Sequence, residues 1–517
     1  MRNRDRWVAA GLAVGVALAL LLPVSAATFL APPGTSFAGF LLNPIDGFSY
    51  LAKMRQGLDG SWSFRLPYAS EPGAGAFLFP YYLLLGHLAR VLSADLLVIL
   101  HAARTLAAAV MFLAIYRFLE EFVEDRAARR IAYAMCLVGA GWGWLGIPFG
   151  FVASDLSIPE TTPFLSAYAN AHFSYAVACL LIAGVGVLGG QAGKLLWALA
   201  SLAAGVVLTL VLPFVLLPAV AVLLIGIVAI GLVERRAGEA SSVPRRLASL
   251  GAFLAGSAPW AIYDLWLLWT RPDLAAWNAQ NQTPSPEPGA YLLGYAPLLL
   301  LAAIAVVANR EHRRVVWLLL AWVLVQSALL YSPLALQRRL SLGLFVALAA
   351  LAALGLASIR RTALRRCLTI LALASAIPSN LIVVAAGLSG VARAEPLMVQ
   401  SADEACALAW LAGNAEPGSL VLAGETAGNR LPAFANVRVV YGHPFETPDA
   451  ARELEQVEWL FAATTDLAEA LPVLEMRGVD LVYFGSEERA LGPATWPDRL
   501  PAPCTCGQVT IAKVQPP

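Results

Sequence analysis

The sequence predicts a polytopic α-helical membrane protein of about 11 transmembrane helices, closed by a small C-terminal α/β extracytoplasmic domain. Three observations carry this. The 517 residues are 59% hydrophobic and only 13% charged, with mean hydropathy +0.69; soluble domains carry about 25% charged residues. Uncharged or nearly uncharged runs long enough to cross a bilayer, roughly 20 residues each, recur from residue 7 to residue 391. The last 124 residues or so lose that character and alternate short strand-like and helix-like patterns.

Spans are expected at 7–30, 96–119, 131–151, 171–190, 195–212, 213–233, 248–269, 291–308, 315–331, 340–357 and 367–391. The first is read as a membrane anchor. Its apolar stretch from Trp7 is too long for the core of a cleavable signal, although Val24-Ser25-Ala26 resembles a cleavage site. The run 195–233 would be about 58 Å long as one helix, so two spans with a break near Pro213 fit better.

Orientation follows the positive charges. Arg2, Arg4 and Arg6 precede the first span, and Arg126, Arg129 and Arg130 follow the second. Further clusters are Arg235, Arg236, Arg245 and Arg246; Arg310, Arg313 and Arg314; and Arg360, Arg361, Arg365 and Arg366. All fall on the cytoplasmic side if the N-terminus is inside. The alternate loop 152–170 has no Lys or Arg, and 270–290 has only Arg271. This reading makes 76–93 an interfacial or re-entrant helix on the outer face, since counting it as a span would put every later Arg cluster outside. The expected domains are 1–393 in the membrane, with a large first outer loop at 31–95, and 394–517 outside. In the tail, helices are expected at 402–413, 449–463 and 466–477, and strands at 419–423, 436–441, 479–484 and 508–514.

The near-even charge, 35 Lys+Arg against 34 Asp+Glu, argues against a nucleic-acid partner, which needs a basic surface. Six Cys do not make a disulfide framework. Cys504 and Cys506 are too close in sequence for an unstrained bond, so one of them pairing with Cys406 is more plausible. No phosphate-binding Gly loop, Walker-type motif or Ser nucleophile elbow is present.

The first outer loop holds the most informative acid. Asp46 is the sole acid between Asp5 and Asp59 and follows Pro44 by two residues. Pro suits the first turn of a helix, so Asp46 is expected near a helix N-terminus. Such a carboxylate is either a general base or only a helix-stabilising acid. His101 and Arg104, three residues apart, share a helix face at the outer end of the second span. An Arg there needs an anionic partner, a carboxylate or a visiting phosphate, or else snorkels to the interface. Arg338 and Arg339 stand together on the outer face, where positive charge is scarce. They suit bidentate phosphate contact or a lipid headgroup. Asp155, His172 and His443 are further candidates for substrate contact, with structural roles as the alternative. Asp46 and Asp155 hold a divalent metal only if their loops meet.

This arrangement resembles the GT-C superfamily of integral membrane glycosyltransferases, which includes protein O-mannosyltransferases and aminoarabinose transferases of lipid A. The resemblance rests on Asp46 with Tyr50, on Pro80-Tyr81-Tyr82 in the juxtamembrane helix, and on Arg104. It covers about 1–391 in layout. It implies a polyprenyl-phosphate-linked sugar donor, a glycan, lipid or protein acceptor, membrane lipids as surroundings, and Asp46 as base of an inverting transfer in a cell envelope. Arg104, Arg338 and Arg339 would hold the donor phosphate; Tyr50, His101, Asp155, His172 and His443 are candidates for substrate contact. Gly47 departs from the acid pair of the O-mannosyltransferases, which leaves the acceptor and any divalent metal open. The segments 428–434 and 441–447 resemble tails of bacterial membrane proteins of this kind. The rival readings are a transporter or flippase of lipid-linked saccharides and a non-catalytic assembly protein.

Overall fold

The computed structural model describes residues 2–308, 313–492 and 494–514. Arg310 lies outside them. Packing divides the chain into two compact units: one of 1–22, 102–265 and 283–386, the other of 23–101, 266–282 and 387–517.

The first unit is helical. Over the whole described chain six helices are long and apolar enough to cross a membrane, or eight if two bent pairs are each one span. That is fewer than the eleven expected from hydropathy. The expected span 131–151 is broken after Val138, and its two helical pieces meet at 52°. The expected span 291–308 bends by 77° between Pro288–Gly294 and Ala296–Ala308. Leu195–Val211 and Arg314–Leu329 are apolar but shorter. The long run does break at Leu212 and Pro213, where the backbone leaves helical geometry.

Ion pairs and hydrogen bonds tie several of the arginine-bearing loops of this unit to neighbouring segments. Asp5 pairs with Arg126 and Arg130, and Arg6 with Glu120. Arg246 donates to the carbonyls of Val187 and Gly189, and Arg314 pairs with Glu234.

The second unit contains the tail and most of the first loop. Strand β1 (Thr35–Phe37) pairs antiparallel with β2 (Val399–Ser401). The tail carries a five-stranded sheet of β3 (Ser419–Leu422), β4 (Val437–Val439), β5 (Leu481–Phe484), β6 (Cys504–Cys506) and β7 (Val509–Lys513), in the order β4-β3-β5-β7-β6. β4, β3 and β5 are parallel; β7 and β6 are antiparallel. Side chains alternate across a strand. Val421 and Tyr483 therefore face helices Ala402–Asn414 and Glu425–Phe434, while Leu420, Leu422, Val482 and Phe484 face helices Ala450–Phe461 and Leu467–Arg477. The expected tail elements are present with ends shifted by a few residues. Helix Glu425–Phe434, strand β6 and the short helix Ser486–Leu491 are additional. Cys406 is bonded to Cys506, fastening helix Ala402–Asn414 to the sheet edge.

Helix Pro44–Leu58, which carries Asp46, belongs to this unit. Its Ala52 joins the core formed by helix Glu425–Phe434 and the sheet. Helix Pro80–Leu92 spans 13 residues, about 20 Å. This is too short to cross roughly 30 Å of hydrocarbon, as an interfacial or re-entrant helix requires.

Candidate active site

In the second unit, Pro44 occupies the first turn of its helix, with Asn43 as N-cap in the left-handed region (φ 50°). Asp46 therefore sits in the first turn, where acidic residues suit the helix dipole. Its side chain is 42% exposed, open enough to meet a ligand. Gly47, next in sequence, lies under Phe40: a Cβ there would clash with the ring. The second acid of the O-mannosyltransferase pattern has no room here while Phe40 keeps its place.

The loop after β4 reaches Asp46. It comes from the carboxyl end of the parallel strands and reads Gly442-His443-Pro444-Phe445-Glu446-Thr447. His443 Nε2 lies 3.4 Å from Asp46 Oδ1. Nδ1 accepts from the backbone N–H of Phe445 (3.1 Å) and Glu446 (3.2 Å). Glu446 grips Lys53 through both carboxylate oxygens, at 2.7 and 2.8 Å. Lys53 is fully buried, within 4.7 Å of the Phe79 ring centre and 5.4 Å of that of Tyr50. Burial by itself would push the Glu446 carboxyl up. The charge of Lys53, with hydrogen bonds from Lys53 and Ser49, more than offsets this and holds it below its ordinary value.

Helix Glu425–Phe434 buttresses the same helix. Asn429 Nδ2 donates to the Ile45 carbonyl at 3.3 Å, and Arg55 donates to the Phe434 carbonyl at 3.1 Å. Arg430 lies 5.4 Å from the Phe48 ring centre. Tyr68, fully buried, donates to the Asn429 carbonyl at 3.1 Å. Its phenol is pushed well up, first by burial and then by Glu446 and Asp46, so it remains a neutral donor. Gly428 and Gly442 touch: a Cβ on Gly428 would meet the Tyr441 carbonyl oxygen and one on Gly442 the Gly428 backbone. The segments 428–434 and 441–447 are thus the support of the Asp46 helix.

The other candidates have separate surroundings. In the second unit Tyr50 stacks on Tyr82 at 4.7 Å, and His101 Nε2 lies 3.1 Å from the Gly39 carbonyl. In the first unit the Arg104 guanidinium donates to the carbonyls of Tyr168 and Leu20 and lies near the Tyr168 ring. These contacts occupy it structurally. Asp155 is fully buried and accepts from the backbone N–H of Gly141 and Gly143, closing a turn. His172 is buried against Phe173. Arg338 and Arg339 lie on a 3₁₀ turn, Gln337–Ser341. Their Nε atoms are buried and make no hydrogen bond among the described residues, and Arg339 covers the Phe214 ring at 5.1 Å.

Sequence reasoning assigned nothing to Lys53, Glu446, Tyr68 or Asn429. A signal existed for Lys53: it follows Asp46 by seven residues, two turns along one helix face, in an apolar neighbourhood where a lone ammonium needs a partner. Among the described residues no three His, Cys, Asp or Glu side chains gather to hold a metal ion. The groups beside Asp46 do not suit one: His443 Nδ1 is taken by backbone donors and Glu446 by Lys53.

Parallel strands wound in opposite directions from β3 open a crevice at the carboxyl ends of β3 and β5, the usual ligand position in such sheets. Here the chain fills it. Glu487 accepts from the N–H of Thr426 and Ala427 at the start of helix Glu425–Phe434. Glu488 accepts from the N–H of Gly424 and Gly485 at 2.7 and 2.9 Å. Burial pushes Glu488 up to about 7, and Glu487 adds to the rise. The folded state then holds a proton that the unfolded chain releases between about 4.5 and 7. Stability is greatest below that window and falls through it, by about 3 kcal/mol for this group. Amide exchange in β3 and β5, corrected for intrinsic rates, should show less protection at pH 8 than at pH 5. Glu488→Gln should flatten the difference; an unchanged slope in that variant would place its cause elsewhere.

No family model and no curated protein matches this sequence. Solved structures do match. The structure of ArnT from Cupriavidus metallidurans bound to undecaprenyl phosphate is 15% identical, with TM-score 0.52, covering 98% of each chain. The archaeal oligosaccharyltransferase AglB from Archaeoglobus fulgidus, in complex with an inhibitory peptide and a dolichol-phosphate, is 14% identical with TM-score 0.53, covering 93% of this chain and 69% of that one. The arabinofuranosyltransferase AftD from Mycobacteria is 16% identical with TM-score 0.54; the match takes in all of this chain and 40% of that one. This multi-pass membrane chain therefore has the GT-C fold of integral membrane glycosyltransferases.

Proposed function

We propose that this protein is an inverting membrane glycosyltransferase that takes a sugar from a polyprenyl-phosphate carrier on the extracytoplasmic side, with Asp46 as general base. The observation that carries the reading is a half-exposed carboxylate in a helix N-terminal turn, held by a buried histidine loop, in a chain of this fold. Three solved proteins of that fold are glycosyltransferases or bind polyprenyl phosphates. The N-terminus is cytoplasmic in this reading, and the first loop and the tail 394–517 are outside.

Asp46 removes the proton of an acceptor hydroxyl as that oxygen attacks the anomeric carbon. The bond from that carbon to the phosphate oxygen breaks, and the phosphate leaves with the electron pair. Phosphate is a good leaving group, so a single base suffices where glycosidases need two carboxyls. Arg338 and Arg339 are the better phosphate ligands, because their Nε atoms lack partners among the described residues while Arg104 is committed to carbonyls.

The test uses the full chain in lipid nanodiscs with a panel of polyprenyl-phosphate-linked radiolabelled aldopentoses and aldohexoses, and a membrane glycolipid extract as acceptor. Release of polyprenyl phosphate with a labelled product of inverted anomeric configuration is expected from at least one donor. Donors that stay intact, or that cross proteoliposomes uncleaved as a flippase would allow, would overturn the reading.

A further inference from the structure

His443 is 2% exposed, so it stands behind Asp46 rather than open to a ligand. Its ring orientation is fixed from several sides. Nδ1 accepts two backbone N–H bonds, from Phe445 and Glu446. An acceptor nitrogen must offer its lone pair, so the ring proton belongs on Nε2. The N–H groups of Gly442 and His443 both donate to Thr447 Oγ1, at 3.3 and 3.2 Å, and close the turn. The ring lies between those of Tyr68 and Phe445, at 5.7 and 6.3 Å. Nε2 is buried, makes no conventional hydrogen bond, and lies 3.4 Å from Asp46 Oδ1. Such contacts are often long in an enzyme without substrate and tighten when it binds.

We propose that His443 is a positioning residue for Asp46: its Nε2–H, aimed by the backbone of its own loop, holds a carboxylate oxygen and so fixes the direction in which the base meets the acceptor hydroxyl. The proposal rests on the transferase reading. His443 itself moves no proton, because protonating Nδ1 would strand two backbone donors. Tyr68, and Tyr82 of helix Pro80–Leu92, feel the Asp46 charge, while Lys53 of the Asp46 helix pairs with Glu446 of the His443 loop. Arg430 faces the helix one turn away, over Phe48.

Two substitutions separate the two ring nitrogens. His443→Asn places an amide oxygen near the Nδ1 position, keeping the acceptor for Phe445 and Glu446 and losing the donor to Asp46. His443→Gln places an amide nitrogen near Nε2, keeping the donor and losing the loop acceptor. Each is assayed in nanodiscs with the most active donor of the panel, beside wild type and Asp46→Asn. His443→Asn is expected to melt within ~3 °C of wild type while kcat falls about 10–100-fold, with the donor KM within about threefold. Loss of a donor that tightens on the carboxylate in the substrate complex disfavours the ionised base there, so the acid limb of the kcat profile should move to higher pH. His443→Gln is expected to melt lower yet keep more activity than His443→Asn. Wild-type kcat and pH profile in His443→Asn, with Asp46→Asn inactive, would overturn the positioning role alone. So would losses of activity that follow melting temperature in both variants. A wild-type protein that releases no polyprenyl phosphate, or an active Asp46→Asn, would instead remove the transferase reading on which the role depends.

Discussion

Asp46→Asn is expected to lower sugar transfer by about 10³-fold, the middle of the range for losing a general base. The substitution keeps the shape of the side chain and removes its capacity to take a proton. Asn tolerates the first turn of a helix, and its amide can turn its oxygen toward His443 Nε2, so the contact at that oxygen survives. The helix is held elsewhere by Asn429, Arg55 and Lys53, and melting should move little. The measurement is initial-rate release of polyprenyl phosphate under single-turnover conditions, where binding and chemistry separate. Activity above a tenth of wild type would remove Asp46 as the base. Asp46→Glu is a useful companion: the acid is retained but displaced by a methylene, so an intermediate rate is expected.

The second large effect is on stability. Lys53→Met should destabilise the second unit by about 3–5 kcal/mol, the usual cost of leaving one member of a buried ion pair alone. Lys53 is fully buried, and the Glu446 side chain is 12% exposed. Removing the ammonium leaves the carboxylate with Ser49 and His443 against a large desolvation term. The double variant Lys53→Met with Glu446→Leu removes both charges and should recover much of the loss, since apolar packing can replace an ion pair of this kind. Amide exchange over helix Pro44–Leu58 and the loop after β4 reports the change locally. A single variant as stable as wild type would mean that water reaches Glu446 in solution.

Much of this architecture is legible in the sequence, because it rests on periodicity and composition. Long apolar runs give the membrane helices, and alternating valines and leucines give β3 and β5. The count of spans is less legible. Hydropathy at 131–151 does not register the bend after Val138, which depends on what packs beside it. Helix Glu425–Phe434 is hard to read from the sequence because Gly428 and Pro432 are poor helix formers. Gly428 is there for the close approach of Tyr441 and Gly442, while Ala427 and Leu431, four apart, supply the buried face. Asp46 and His443 could each be singled out by chemistry, but not their meeting. Nor could the Lys53–Glu446 pair be read, since partners 393 residues apart share no local pattern. Arg104 shows the converse: a residue that looks available on its own is occupied by carbonyls of distant segments.

The pairing of β1 with β2, and of Lys53 with Glu446, bears on how the protein is made. The helix bearing Asp46 leaves the ribosome first, and the strand and loop that complete its surroundings leave some 360–390 residues later. At 5–20 residues per second that interval is roughly 20–80 s. During it the first loop lacks β2, His443 and Glu446, and Lys53 has no counter-ion from the tail. A chain that stops short of these residues thus holds the carboxylate without its framework, and competence arrives only once residues 443–446 have been made.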